Sequence, residues 1–127
     1  VPVIGYATDK LPAFYTRESD FDVNFRVDSP QETASILRTK WDLGLRGGAL
    51  IANPIPVEDS MEANFINGII ENALQEAAAN GIAGKNVTPF LLGKVKELTE
   101  GKSLEANIAL VKNNARVGAK IAVELNK

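Results

Sequence analysis

The chain contains no cysteine and no histidine. The first absence excludes disulfides, thiolate catalysis and cysteine-based zinc sites. The second removes the commonest general base and metal ligand available near neutral pH. No apolar run approaches the roughly 18 residues of a membrane span, and no signal peptide is visible. A soluble, cytoplasmic setting with no membrane partner is therefore expected. Nor is there an excess of basic charge. The net charge is −2 and the sequence pI is about 5.2, whereas nucleic-acid binders usually carry a basic field. Nucleic acid is not the expected partner, although local basic residues remain available for a small phosphate.

What is present describes an ordinary globular domain. A chain of 127 residues suffices for one compact domain with a modest core, and 45% apolar with 24% charged residues is a common composition. The chain opens VPVIGYAT. Val1, Val3 and Ile4 read as a strand already under way, which suggests a piece of something longer. Residues 1–7 are expected as a strand and TDKLPAFYTRESDFD as a long irregular connection, since Pro12 and scattered charges break any period. From Val23 to Val27 apolar and polar residues alternate, the period of a half-buried strand. SPQE then opens a helix, with Ser29 as N-cap, Pro30 at N1 and Glu32 closing a capping box. Ala34, Leu37 and Trp41 give this helix an inward face, and Gly44 suits a left-handed C-cap. GGALIANP reads as a short buried strand ending at Asn53.

The second half is helical. In MEANFINGIIENALQEAAANG, Ile66, Ile69, Ile70, Ala73 and Ala77 share a face, and Asn80-Gly81 ends the helix. Thr88-Pro89 repeats the cap-plus-proline signal and starts a helix to about Thr99. Gly101 stops it, and Ser103 caps the last helix. In SLEANIALVKNNARVGAKIA, at about 100° per residue, Leu104, Ile108, Val111, Ala115, Gly118, Ala122 and Leu125 form one stripe. Lys112, Arg116 and Lys120 lie on a different, wet side. Asn107 and Asn114 point along the edge of the stripe, while Asn113 points outward. A buried amide left without a hydrogen bond costs about 1–3 kcal/mol. Its partner is either neighbouring backbone or a ligand such as a sugar hydroxyl or a nucleobase edge, because asparagine both donates and accepts.

Other candidates carry similar alternatives. Thr8 and Asp9 follow the first strand and Asn53 follows GGALIA, the places where open α/β sheets gather ligands. Turn chemistry favours the same residue types there. Gly47-Gly48 is too short for a phosphate loop, Phe14-Tyr15 reads as a satellite core cluster before a base-stacking platform, and Glu62 reads as a first-turn carboxylate on the helix dipole. No nucleophile–base pair and no carboxylate cluster with metal-ligand spacing emerges. Lys94, Lys96, Lys112 and Lys120 read as solvated, whereas a Schiff-base lysine should be partly buried.

Taken together, VPVIGYATDKLPAFYTRESDFDVNFRVDSPQE, KWDLGLRGGALIANPIP, TPFLL and ANIALVKNNARVGAKIA resemble the pseudouridine-5′-phosphate glycosidase family, also called indigoidine synthase A-like. The blocks occur in the family's order and cover residues 1–127 as the C-terminal portion of a single, longer family domain. The resemblance implies a three-layer α/β/α fold with a mixed sheet. It also implies reversible cleavage of the C–C glycosidic bond of pseudouridine 5′-phosphate to uracil and ribose 5-phosphate.

In the mechanism the resemblance implies, a lysine forms an imine with ring-opened ribose, a glutamate donates a proton and an aspartate helps to hold Mn²⁺. A C–C bond offers no leaving oxygen to protonate, so two-carboxylate glycoside hydrolysis does not transfer, and an iminium supplies the missing electron sink. The family's lysine, glutamate and aspartate all precede the VPVIGY block, so none maps onto this chain. Asn107 does map, onto the family's active-site asparagine. With the strand-end residues Asn53, Thr8 and Asp9, Asn107 makes up the expected substrate-contacting set; the resemblance places no metal ligand in this chain and implies a homotrimer. The competing reading is a non-catalytic module that binds a nucleotide or sugar phosphate or serves in assembly.

Overall fold

The computed structural model describes the whole chain, Val1–Lys127. Strand β1 (Val3–Tyr6) is followed by β2 (Phe25–Val27), α1 (Pro30–Asp42), β3 (Leu50–Ala52), α2 (Ala63–Ala79), α3 (Val87–Leu98) and α4 (Lys102–Leu125). Single 3-10 turns lie at Val57–Asp59 and Gly84–Asn86. The sheet order is β2-β1-β3. Both neighbours run parallel to β1, with Ile4 opposite Phe25 on one side and Ile51 on the other. The fold is α/β, as the sequence implies. The three strands of this chain form a parallel sheet, so the antiparallel members of a mixed sheet would have to come from strands other than these.

Parity along β1 assigns its two faces. Tyr6, with Ile51 of β3, packs against Leu37 of α1 and Val117 and Ile121 of α4. Gly5 points the other way, where an added Cβ would lie 2.2 Å from the Thr8 carbonyl oxygen and 2.9 Å from Val23. One face is therefore covered by helices and the other by the irregular connection between β1 and β2. A second core lies beyond the sheet, where Tyr15, Ile55, Ile66, Ala73, Val95, Ala106 and Leu110 pack together. Helix α4, 24 residues long and hence about 36 Å, runs through both cores.

The stop and start signals mostly hold. Ser29 Oγ accepts from the Glu32 amide at 3.1 Å. Glu32 Oε2 reaches back to the Asp28 amide at 2.8 Å, one residue before the cap. Gly44 and Gly81 take left-handed conformations after α1 and α2. Glu62 is the N-cap of α2, accepting from the amides of Asn64 and Phe65 at 3.1 and 2.7 Å.

Other expectations need correction. Trp41 is half-exposed, not part of the inward face. Leu50, opposite Val3 and so on the other face from Ile51, is exposed. Helix α3 begins at Val87 out of the preceding 3-10 turn, so Thr88 and Pro89 lie inside its first turn and Thr88 is not the cap. Ser103 likewise lies inside α4. The N-cap is Gly101, in a left-handed conformation. The Ser103 amide donates to Thr99 Oγ1 at 3.1 Å, so the hydroxyl ending α3 supports the start of α4.

The largest difference concerns the face of α4. The buried residues are Ser103, Ala106, Leu110, Val117 and Ile121. Leu104, Ile108 and Val111, expected inside, are 40%, 46% and 58% exposed. Both faces are apolar. The one that packs here begins with the small residues Ser103 and Ala106.

Candidate functional site

The carboxyl ends of β1 and β3 open into one cavity of about 350 Å³. Local sequence explains its walls. After Tyr6 the chain turns sharply at Ala7, whose φ of 55° is left-handed for a residue with a Cβ. The Ala7 amide still donates to the Val27 carbonyl at 2.7 Å, so the turn is anchored to β2. After β3 comes Asn53-Pro54-Ile55-Pro56, where two prolines end ladder pairing. Arg17 arrives from the irregular connection, and its Nη1 donates to the Ile55 carbonyl at 2.6 Å. Asn113, Arg116 and Lys120 come from α4, where spacings of three and four place them on one face. Asn53 Nδ2 donates to Asn114 Oδ1 at 2.9 Å and ties the end of β3 to the same helix.

The cavity is basic in an acidic chain. Arg17, Arg116 and Lys120 face a single carboxylate, that of Glu58. The ion pairs of the chain use Lys10, Arg26, Lys94 and Lys127, and none of these three cations. Tyr6 also lines the cavity, and burial raises its phenol pKa.

Two turns earlier on α4, about 10 Å along its axis, Asn107 lines a second cavity of about 250 Å³ with Tyr15, Lys96, Ser103 and Leu92. Tyr15 is buried. Burial raises its phenol pKa, partly opposed by the neighbouring Ser103 hydroxyl. Its ring meets Phe14 edge-on at 4.7 Å and 85°, with Phe14 itself at a φ of 69°. An apolar cavity of about 210 Å³ adjoins, sharing Tyr15 and Leu92 and adding Ile70, Leu91 and Val95. The Asn107 cavity thus combines an amide, a phenol, a hydroxyl and an ammonium with an apolar wall.

The four expected site residues separate. Asn53 lines the basic cavity and Asn107 the second one. Thr8 and Asp9 line neither. The Thr8 hydroxyl donates to the Lys10 carbonyl at 2.9 Å and accepts from the Lys10 amide at 3.2 Å, closing a turn. Asp9 pairs with Arg26 at 2.8 Å on the surface. Sequence reasoning did not assign Arg17, Arg116 or Lys120 to a site, and it pointed Asn113 to solvent, whereas Asn113 is half-buried in the cavity wall. The available signal was the spacing of 113, 116 and 120 on the helix that Asn114 joins to Asn53. No group of three or more Asp and Glu residues comes together in a metal-binding arrangement.

Comparison with known proteins covers all of these elements at once. Over its full length the chain is 72% identical to a pseudouridine-5′-phosphate glycosidase of Lysinibacillus sphaericus, spanning 42% of that protein. It is 63% identical to a protein of the same name from Caldanaerobacter subterraneus, spanning 41% of it. The chain thus spans less than half the length of these relatives. Among solved structures, a prealnumycin C-glycosynthase in complex with ribulose 5-phosphate matches 98% of the chain at a TM-score of 0.87 and 32% identity, over 41% of its own length. An indigoidine synthase A-like protein from Thermotoga maritima matches the whole chain at a TM-score of 0.84 and 32% identity, again over 41% of its length. The family model of indigoidine synthase A-like proteins matches residues 1–124, and the chain belongs to that family.

Proposed function

We propose that these residues are the C-terminal part of a pseudouridine-5′-phosphate glycosidase, which reversibly cleaves the C–C glycosidic bond to give uracil and ribose 5-phosphate. The observation that carries this reading is the 72% identity, over all 127 residues, to a relative bearing that name. The ribulose 5-phosphate in the matching C-glycosynthase supports a sugar phosphate as the ligand class. In this reading Asn107 contacts the substrate. Its amide offers two donors and an acceptor beside the hydroxyl of Ser103 and the phenol of Tyr15, while the apolar wall of Leu92 and Leu104 excludes water from one side.

The reactive lysine, the proton-donating glutamate and the assembly into a homotrimer belong to the longer protein in this reading. Mn²⁺ does too. The carboxylates of this chain do not gather into a ligand set. The test is uracil release from pseudouridine 5′-phosphate by a protein of the relatives' full length, followed by chromatography, with Asn107→Ala alongside. Release that falls about 10²-fold in kcat/KM on losing the amide supports the reading. A folded full-length protein that binds the nucleotide yet releases no uracil overturns it and favours a binding module.

A further inference from the structure

The basic cavity at the strand ends carries an inference of its own. Arg116 and Lys120 stand one turn apart on α4, a like-charge spacing that destabilises a helix unless something offsets it. Neither has a carboxylate partner. Arg17 enters from a distant segment, held by its bond to the Ile55 carbonyl, which leaves its other N–H groups free. Three cations against the one carboxylate of Glu58 leave a formal excess of two positive charges in a cavity of about 350 Å³. The surrounding neutral groups include the amides of Asn53 and Asn113 and the phenol of Tyr6.

Planar guanidinium forks match the tetrahedral oxygens of phosphate, two N–H groups to two oxygens, and an ammonium adds a point charge. The location agrees, because ligands of open parallel sheets gather beyond the carboxyl ends of strands. Ala7, left-handed at the end of β1, lines the cavity at that place.

We propose that this cavity is a binding site for a phosphate-class anion, held by Arg17, Arg116 and Lys120. Nothing in the proposal depends on the glycosidase reading. The phosphate is either free or the phosphate group of a phosphorylated ligand, and the experiment separates these sources.

Isothermal titration calorimetry with inorganic phosphate is run on the full-length protein as wild type, as the R116Q/K120Q double variant, as the R116K/K120R double variant and as R17Q. The expected result is saturable binding that weakens with added salt and falls at least tenfold in R116Q/K120Q and measurably in R17Q. R116K/K120R should retain most of it. Thermal melts verify that each variant is folded, and R17Q on the irregular connection provides a variant that leaves α4 unaltered.

Steady-state kinetics then assign the source. A raised KM for pseudouridine 5′-phosphate with kcat retained, and phosphate acting as a competitive inhibitor, marks the substrate's own phosphate. Phosphate binding lost with KM unchanged marks a separate site for a free anion. Absence of phosphate binding in the wild type, or equal affinity in wild type and R116Q/K120Q, overturns the proposal. If no uracil is released while calorimetry still reads phosphate, the glycosidase reading fails and the anion site stands.

Discussion

At the scale of single residues, close backbone approach decides more than side-chain identity suggests. Gly5 sits where the chain folds back over its own strand, with the Thr8 carbonyl oxygen 2.2 Å from any Cβ placed there. A backbone atom cannot move aside as a flexible side chain would. Gly5→Ala is therefore expected to lower stability by about 1–3 kcal/mol, the range for overpacking a filled site. A denaturant midpoint unchanged from wild type would show that the connection can lift off the sheet. VPVIGY shows a strand, but nothing in it shows that residues 8–23 return over Gly5, because that contact is non-local. The same limit applies at Arg17. Its sequence neighbours read as irregular surface, and only the fold brings it to Asn53 and Arg116. The strand-end rule places Asn53 in the cavity wall, whereas Thr8 and Asp9, read by the same rule, are engaged in a turn and an ion pair.

At the scale of elements, local chemistry was readable and the choice of face was not. Ser29, Pro30 and Glu32 act within four residues, so their pattern in the chain is also their pattern in space. At the start of α4 the sequence offered Ser103 as the cap, but the hydroxyl that serves is Thr99, four residues earlier at the C-cap of the preceding helix. Thr99 is 3% and Ser103 1% exposed, so water cannot replace that bond. Thr99→Val keeps the shape and removes the acceptor, leaving the Ser103 amide buried and unpaired at a cost of about 1–3 kcal/mol. Hydrogen exchange should accelerate selectively at Ser103 and Leu104. Equal protection in both proteins would mean that another acceptor takes over. The stripe of α4 was misassigned for a different reason. A helix apolar on two faces has two answers to a test of periodicity, and only tertiary packing selects between Leu104, Ile108 and Val111 and the buried Ala106, Leu110 and Val117.

At the scale of the whole molecule, charge and surface area make two further predictions. Tyr15 and Tyr6 have pKa values raised above 10.0 by burial. Lys10 and Lys94 are raised above 10.5, first through hydrogen bonds to Asp22 and Glu76. In all four the folded state favours the protonated form. Their contribution is complete below the unfolded pKa values and is lost as pH rises through the folded ones. Stability should fall as pH rises above about 10, and Tyr15→Phe should make the fall shallower. Parallel pH profiles for wild type and variant would remove Tyr15 from this account.

The surface argues more strongly. A compact monomer of 13.6 kDa is expected to expose about 6,600 Å², and this chain exposes 8052 Å². The excess is nearly twice what one partner contributes to a standard protein interface, roughly 800 Å². It has recognisable sources. Both outer strands of the sheet lie open, with Phe25 and Leu50 at 59% and 53% exposure, and the second apolar face of α4 is uncovered. Unpaired strand edges beside apolar surface drive association. The isolated 127 residues should therefore elute larger than a monomer or bind a hydrophobic dye, and should melt at a lower temperature than a protein of the relatives' length. Changing Leu104, Ile108 and Val111 to polar residues should reduce dye binding by the isolated chain and destabilise the longer protein if that face is buried there. A sharp, high-temperature melt of the isolated chain as a monomer would show that 22 buried residues suffice and that the open faces need no cover.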